Sequence, residues 1–265
     1  MPVSEFSRDR DRLAAAVQEA GAVAKRFFRG PLKHWTKGEG DSPVTEADIA
    51  SNDILRKRLV ETGDGWLSEE SENDPTRLAA RRVWVVDPID GTRAFIAGRE
   101  DWSVSVALVV DGRPVAAALF APVTDELFLS TLSGGATRNG EAIRASMGIG
   151  LEGARVGGPK RMLDRFTLEG SGIVAMPRIH SLALRLARVA HGELDAAIAG
   201  GNGHDWDLAA ADLLVHEAGG LMTALDGEVL VYNRPDPVHS VLLAAGRERH
   251  GALAHLIRAQ NSEPV

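Results

Sequence analysis

The chain lacks cysteine altogether and carries one tyrosine and 5% aromatic residues in a length of 265. Without cysteine it forms no disulfide, no thiolate metal site and no thiol nucleophile. That absence fits any compartment and only removes options. Long apolar runs are missing too: nothing approaches the ~20 residues a membrane-spanning helix needs. Met1 to Arg10 is charged and without an apolar stretch, so no secretory signal is expected and a cytoplasmic protein is the default reading. Positive charge is not in excess, with 30 Lys and Arg against 37 Asp and Glu, a formal net charge of −7. This argues against a nucleic-acid or anionic-membrane surface. A phosphorylated small molecule stays open as a substrate, because bound metal inverts a local field.

Several catalytic signatures are also absent. The sequence contains no G-x-S-x-G, no P-loop and no H-E-x-x-H, and its 8 histidines show no metal-ligand spacing. Gly148-Ile-Gly-Leu-Glu-Gly153 matches the dinucleotide pattern, yet no clear strand precedes it and no helix follows, so it is set aside.

What is present is the composition of an ordinary globular protein, 44% apolar and 25% charged, long enough for one large core or two smaller ones sharing a cleft. Leu13, Val17, Ala20, Ala24 and Phe27 recur at helical spacing and Gly30-Pro31 stops them. Lys37 to Pro43 is polar and reads as mobile. Thr45 and Asp48 fit a capping box that opens a helix running to about Leu59. Short apolar runs then suggest strands at Val83 to Val86, Val104 to Val110, Val115 to Phe120 and Glu126 to Leu129, with turns at Asp111-Gly112 and Asn139-Gly140. Beyond residue 150 strands and helices alternate: a strand at Ile173 to Ala175, a helix at Ser181 to Ala190, a strand at Asp195 to Ile198. A helix follows at Asp207 to Ala218, closed by Gly219-Gly220. Asp226-Gly227 is expected to turn a hairpin, and Ser240 to Ala245 to form a last strand before a C-terminal helix. The pattern predicts sheets layered between helices in two subdomains, an α+β part over 1–145 and an α/β part over 146–265.

Four acidic segments stand out: Asp41 to Asp48, Ser68-Glu69-Glu70-Ser71, Asp87-Pro88-Ile89-Asp90-Gly91-Thr92, and Asp205-Trp206-Asp207. In the third, Asp87 leaves a buried strand that Pro88 is expected to end. Two carboxylates three residues apart on that corner, with the Ile89 carbonyl, suit a hard cation that wants oxygen ligands. The N–H groups of Gly91 and Thr92 are placed to meet an anion. Each segment also has a plainer explanation. Asp-Pro and Asp-Gly are turn chemistry, Glu69-Glu70 is a solvated face, and Asp207 stands where a helix N-cap is expected, with Trp206 packing beside it.

Read together, Glu69-Glu-Ser71, Asp87-Pro-Ile-Asp-Gly-Thr92 and the Trp206-Asp207…Glu217-Ala-Gly-Gly220 stretch resemble, in order, the motifs of the inositol monophosphatase family of metal-dependent, lithium-sensitive phosphatases. The resemblance runs from about Asp41 to Gly220. It implies the layered α/β/α/β/α sandwich of the inositol monophosphatase and fructose-1,6-bisphosphatase type, often as a homodimer. It also implies two or three Mg²⁺ ions held by Glu69, Asp87, Asp90, Asp207 and the Ile89 carbonyl, with Li⁺ as an inhibitor. The catalytic residues implied are Asp48 and Thr92, which position or deprotonate the attacking water, and Glu70 in support. Phosphate is expected at Asp90, Gly91, Thr92 and the neighbouring Arg93, with His204 close enough to the Asp207 segment to touch substrate.

The substrate class is a small phosphorylated metabolite. Inositol-specific members carry a Glu several residues before the Trp-Asp; here Ala199 to His204 holds no acid. Arg93 and the stretches Pro177 to His191 and His204 to Asp212 lean toward the bacterial 3′(2′),5′-bisphosphate nucleotidase branch, which cleaves 3′-phosphoadenosine 5′-phosphate. Inositol-1-monophosphatase and histidinol-phosphatase activities are the alternatives. A reading of another class, a binding partner of a transcription complex, follows from relatives that associate with RNA polymerase.

Overall fold

The computed structural model describes residues 6–37, 42–168 and 170–261. Asp41, the opening of the first acidic segment, lies outside them, as do residues 1–5 of the amino-terminal stretch and 38–40 of the polar one. Among the described residues two large sheets, two two-stranded ladders and seven α-helices build the molecule: α1 (Ser7–Phe27), α2 (Glu46–Leu59), α3 (Thr92–Ile96), α4 (Lys160–Leu168), α5 (Leu182–Ala190), α6 (Asp205–Glu217) and α7 (Arg247–Asn261).

The larger sheet has seven strands in sequence order: Gly65–Ser68, Arg82–Asp90, Ser103–Val110, Arg113–Ala121, Glu126–Thr131, Gly135–Arg138 and Glu141–Ala142. Its first pair is parallel and the rest is an antiparallel meander. The meander follows from the turn chemistry. Asp111-Gly112 and Asn139-Gly140 each take positive φ at both residues, the conformation whose twist matches the flanking strands.

Alternation along the second strand sorts residues between layers. Trp84 and Val86 pack with Leu13 and Val17 of α1 and Leu55 and Leu59 of α2. Val83 and Val85 face the other way, against Leu184 and Leu186 of α5 and Leu208 and Leu214 of α6. Each such fully buried aliphatic side chain is worth about 1.5–3 kcal/mol over its exposed state.

The second sheet has five strands, in the order Val174–Ala175, Arg155–Gly157, Ala196–Ala199, Leu242–Gly246 and Gly220–Ala224. One face, through Ala197, Leu242 and Ala244, joins the core of α5 and α6. The other, through Val156, Ile198 and Leu243, packs on Leu163 and Phe166 of α4 and Leu253 and Ile257 of α7. The layers therefore run α1/α2, seven strands, α5/α6, five strands, α4/α7. This is the expected five-layer sandwich.

The elements depart from expectation at four points. Pro88 does not end its strand. Pairing continues to Asp90↔Ser103, with a register shift after Asp87↔Ser105, because a bulge accommodates the missing N–H. Lys37 to Pro43 is not simply a polar stretch, since His34–Lys37 pairs with Ser42–Thr45 as a short antiparallel ladder. The Asp226-Gly227 turn closes through Ala224 N–H to Glu228 O at 3.0 Å, but no strand returns alongside; Gly220–Ala224 pairs with Leu242–Gly246 instead. Finally, α6 begins at Asp205, so His204 and not Asp207 occupies the N-cap position.

Candidate active site

The bulge explains how Asp87 and Asp90 come to cooperate. Residues three apart on a regular strand face opposite sides of a sheet. From Asp87 to Asp90 the chain advances three residues while the partner strand advances two, from Ser105 to Ser103, and the extra residue turns both carboxylates to one side. Ile89 is driven inward, fully buried among Ala24, Ala47, Phe95 and Trp102. Gly91 follows with φ of +95°, a conformation in which a Cβ would also press on Ser181 N at 3.2 Å and Asp101 O at 3.3 Å. Only glycine suits that position.

Asp207 arrives from α6. As the third residue of the helix it accepts the N–H of His204 at 2.7 Å, a capping-box contact. One carboxylate oxygen from each of Asp87, Asp90 and Asp207 lies within 4.8 Å of the others. They line a cavity of about 180 Å³ together with Glu69, Gly91, Thr92, Arg93, Arg178 and His180.

The electrostatics of the cluster favour a cation among these carboxylates. Burial pushes the Asp87 carboxyl well above its ordinary range, and the neighbouring charges of Glu69, Asp90, Asp207 and Asp48 push it further. Asp207 is raised by burial and then by Asp90. Glu69 is raised to about 7, chiefly by burial, with Lys37 opposing. Carboxylates held this close stay ionised at neutral pH only with a positive charge between them. An all-oxygen set of this kind fits a hard divalent ion such as Mg²⁺. The Ile89 carbonyl accepts the Thr92 hydroxyl at 3.0 Å and has a second lone pair to offer.

Asp90 differs from the other two. It is raised by burial, but its oxygens also accept from Ser181 Oγ at 2.5 Å, Ala183 N at 2.6 Å and Leu182 N at 3.2 Å. It therefore anchors the amino terminus of α5 to the bulge, a tie across 91 to 93 residues that no local spacing signals.

Asp48 does not line the cavity; it stands behind Thr92. Its Oδ2 accepts from Thr45 N at 2.8 Å and Thr45 Oγ1 at 2.5 Å, and its Oδ1 lies 3.3 Å from Thr92 Oγ1, whose one proton it shares with the Ile89 carbonyl. Burial raises its pKa, the hydrogen bonds offsetting part of the shift.

Two candidate residues lie elsewhere. Glu70, its side chain 1% exposed, meets Lys37 Nζ at 2.5 Å and borders a separate cavity of about 520 Å³ shared with Asn52, Trp66 and Arg77. His204 is absent from the lining of the carboxylate cavity and stacks on Trp206, ring centroids 4.5 Å apart at 6°. Arg178, His180 and Ser181 were not anticipated. A serine before an apolar helical run signals an N-cap, and Ser181 is one, but nothing in that signal says which carboxylate it serves.

Comparison with known proteins agrees with this geometry. A family model described as the inositol monophosphatase family matches residues 9–262. A Streptomyces griseus protein named glucose-1-phosphate thymidylyltransferase is 38% identical over 232 residues, 82% of this chain and 86% of that one. An inositol-1-monophosphatase of Mesorhizobium japonicum is 36% identical, covering 81% and 85%. A 3′-phosphoadenosine 5′-phosphate phosphatase of Mycobacterium leprae is 35% identical, covering 72% and 73%. Among solved structures, the extragenic suppressor protein suhB of Bartonella henselae superposes with a TM-score of 0.83 at 26% identity, over 98% of this chain and 100% of that one.

Proposed function

The chain belongs to the inositol monophosphatase family of phosphatases, and from that premise we propose that it is a Mg²⁺-dependent phosphomonoesterase acting on 3′-phosphoadenosine 5′-phosphate. The observation that carries the catalytic reading is the convergence of Asp87, Asp90 and Asp207 within 4.8 Å, beside a hydroxyl that is itself hydrogen-bonded to a buried carboxylate.

Asp87, Asp90, Asp207, Glu69 and the Ile89 carbonyl would hold the Mg²⁺, two or three ions in all. When bound, the metal offsets the charge of the phosphate and stabilises the departing oxygen. The protein positions the rest. Gly91 is the N-cap of α3 and Thr92 its first residue, positions whose N–H groups lack an intrahelical acceptor, and with Arg93 they hold the phosphate. Thr92 Oγ1 orients the attacking water and passes its proton toward Asp48, whose raised pKa makes it a better base near neutrality. Thr45 fixes the other oxygen of Asp48, leaving Oδ1 aimed at Thr92. Glu70 supports the arrangement from behind by holding Lys37, which also donates to the Glu69 carbonyl at 2.8 Å.

Arg93 in the cavity wall, the lack of an acid between Ala199 and His204, and the name of the Mycobacterium leprae relative support the nucleotide substrate. The second reading, an inositol-1-monophosphatase, is favoured by the name of the Mesorhizobium japonicum relative; a histidinol-phosphatase and a partner of a transcription complex rank below it. The same proposal includes a cytoplasmic homodimer, inhibition by Li⁺, and a division of labour in which residues 1–145 carry most ligands and 146–265 bring Asp207. No helix among the described residues is long and apolar enough to cross a membrane.

The test is phosphate release from 3′-phosphoadenosine 5′-phosphate, inositol 1-phosphate, histidinol phosphate and fructose 1,6-bisphosphate, with and without Mg²⁺ and Li⁺. Glucose 1-phosphate with dTTP serves as the nucleotidyl-transfer control. Mg²⁺-dependent release greatest with the nucleotide supports the proposal. Release greatest with inositol 1-phosphate replaces the substrate, and pyrophosphate release from dTTP replaces the reaction.

A further inference from the structure

His180 lines the carboxylate cavity and has no part in holding metal, phosphate or the attacking water. Its side chain is 25% exposed, yet the ring is fixed. Nδ1 lies 2.6 Å from Asp101 Oδ2, and the same oxygen accepts the His180 backbone N–H at 2.8 Å. Asp101 Oδ1 accepts from Arg99 Nε at 3.2 Å, so both oxygens of that carboxylate are tied. Burial works against ionised Asp101, but the bonds from His180 outweigh it and hold its pKa below the ordinary value. An ionised carboxylate only accepts, so Nδ1 carries a proton. The ring nitrogen left for the cavity is Nε2, which has no protein partner among the described residues.

The backbone sets where this ring stands. Ser181 N donates to Asp101 O at 3.1 Å, and Ser181 Oγ, the cap of α5, donates to Asp90 Oδ2 at 2.5 Å. The Cβ that Gly91 lacks would press on Ser181 N and Asp101 O, so the Asp101–His180–Ser181 corner abuts the position proposed for phosphate. Two layers of the fold meet here. α2, which carries Asp48, packs on one face of the seven-stranded sheet, and α5, which follows His180, packs on the other. Thr92 with Asp48 therefore reaches the cavity from one side and Asp101 with His180 from the opposite one. An in-line displacement uses that disposition, because the entering and departing oxygens lie on opposite sides of phosphorus.

The other lining residues leave one task without a candidate. Arg93 and Arg178 do not release a proton near neutral pH, and Glu69, Asp87, Asp90 and Asp207 are the proposed metal ligands. His180 is the one histidine of the lining, and an imidazole both holds and releases a proton in this range.

We infer that His180 is a further catalytic residue, the general acid that protonates the departing alkoxide, and that Asp101 is the residue that positions it. The inference rests on the phosphatase reading of the carboxylate site. As the water oxygen bonds to phosphorus, its proton passes by way of Thr92 to Asp48. The bond from phosphorus to the ester oxygen breaks, its electron pair stays on that oxygen, and the Nε2 proton moves to it. Solvent then returns a proton to Nε2 and takes one from Asp48. Ester and water give alcohol and phosphate, with no other reactant.

The test sorts esters by their need for that proton. p-Nitrophenyl phosphate releases a phenolate that departs unprotonated; 3′-phosphoadenosine 5′-phosphate, inositol 1-phosphate and histidinol phosphate release alkoxides that do not. The Mg²⁺-loaded enzyme is assayed on p-nitrophenyl phosphate and on whichever of the three metabolites wild type turns over fastest. His180→Asn keeps a donor for Asp101 but has no nitrogen at the Nε2 position. Its kcat on the metabolite divided by its kcat on p-nitrophenyl phosphate should fall by about 10²-fold or more relative to wild type, the usual contribution of a general acid. Asp101→Asn should move the same ratio in the same direction and by less. A ratio taken within one preparation does not depend on how much of a variant folds. An unchanged ratio in His180→Asn, or a loss confined to KM, overturns the inference and leaves the phosphatase reading standing. Wild type that releases phosphate from none of these esters overturns both.

Discussion

Thr92 Oγ1 lies 3.3 Å from Asp48 Oδ1, joining the end of one strand to the first turn of a helix 44 residues earlier in the chain. Asp48 is held in that position by the capping box it forms with Thr45, so a motif that starts a helix also aims a carboxylate. Loss of a positioned general base typically lowers turnover by about 10²–10⁴-fold. Thr92→Val and Asp48→Asn should each lower kcat on that scale while KM changes much less. Steady-state phosphate release measures the split; a loss confined to KM would assign the pair to binding.

Asp87 and Asp90 should respond differently to the same change. Asp87→Asn removes charge from a carboxylate whose one protein partner among the described residues is Ile89 N–H at 3.0 Å. It should abolish Mg²⁺-dependent turnover with little change in metal-free melting temperature. Asp90→Asn turns an amide toward three donors at the start of α5, leaving one or more buried groups unsatisfied at about 1–3 kcal/mol each. Its melting temperature should fall as well. Identical melting of the two variants would contradict the tie between Asp90 and α5.

The metal-free protein should lose stability as pH rises. Glu69 is raised from 4.5 to about 7, so between those values the folded state holds a proton that the unfolded state has released. The stabilisation present below pH ~4.5 is therefore lost as pH climbs toward 7. Asp87 and Asp207, raised in the same direction, extend the loss. Mg²⁺ replaces the protons, so its stabilising effect should grow from pH 5.5 to pH 8. Melting curves with and without Mg²⁺ at the two pH values test this; a constant Mg²⁺ shift would refute it.

Glu69 and Glu70 are adjacent in sequence but face different cavities. Glu69→Gln should raise the Mg²⁺ concentration needed for half-maximal activity by about ten-fold or more, the loss expected when a ligand is removed. Glu70→Gln, whose partner is Lys37, should act less, and mainly on stability. Titration of activity with Mg²⁺ separates them.

Much of this architecture was legible in the sequence. The Thr45–Asp48 box, the α1 periodicity and the Asp-Gly and Asn-Gly turns act over a few residues, and each appears where its local chemistry places it. Asp87, Asp90 and Asp207 could be singled out because turn and helix-start positions put carboxylates at element ends. The bulge at Pro88 was not legible, since proline signals an interruption without saying whether pairing resumes beyond it. Arg178 was missed because it meets the carboxylates only across a cavity, and Arg185 because its partners are the backbone carbonyls of Ile179 and Ile198. No short spacing encodes such a meeting. The ladder between His34–Lys37 and Ser42–Thr45 was missed for a related reason, being short, half-exposed and poor in apolar alternation.

Asp87, Asp90 and Asp207, with one oxygen of each within 4.8 Å of the others, are placed to share a divalent cation. Crystals soaked in Mn²⁺ would reveal it, because anomalous scattering locates the ion without reference to activity. A peak about 2 Å from a carboxylate oxygen of each residue is the predicted result. An anomalous map with no peak among the three, in crystals that bind Mn²⁺ elsewhere, would contradict it.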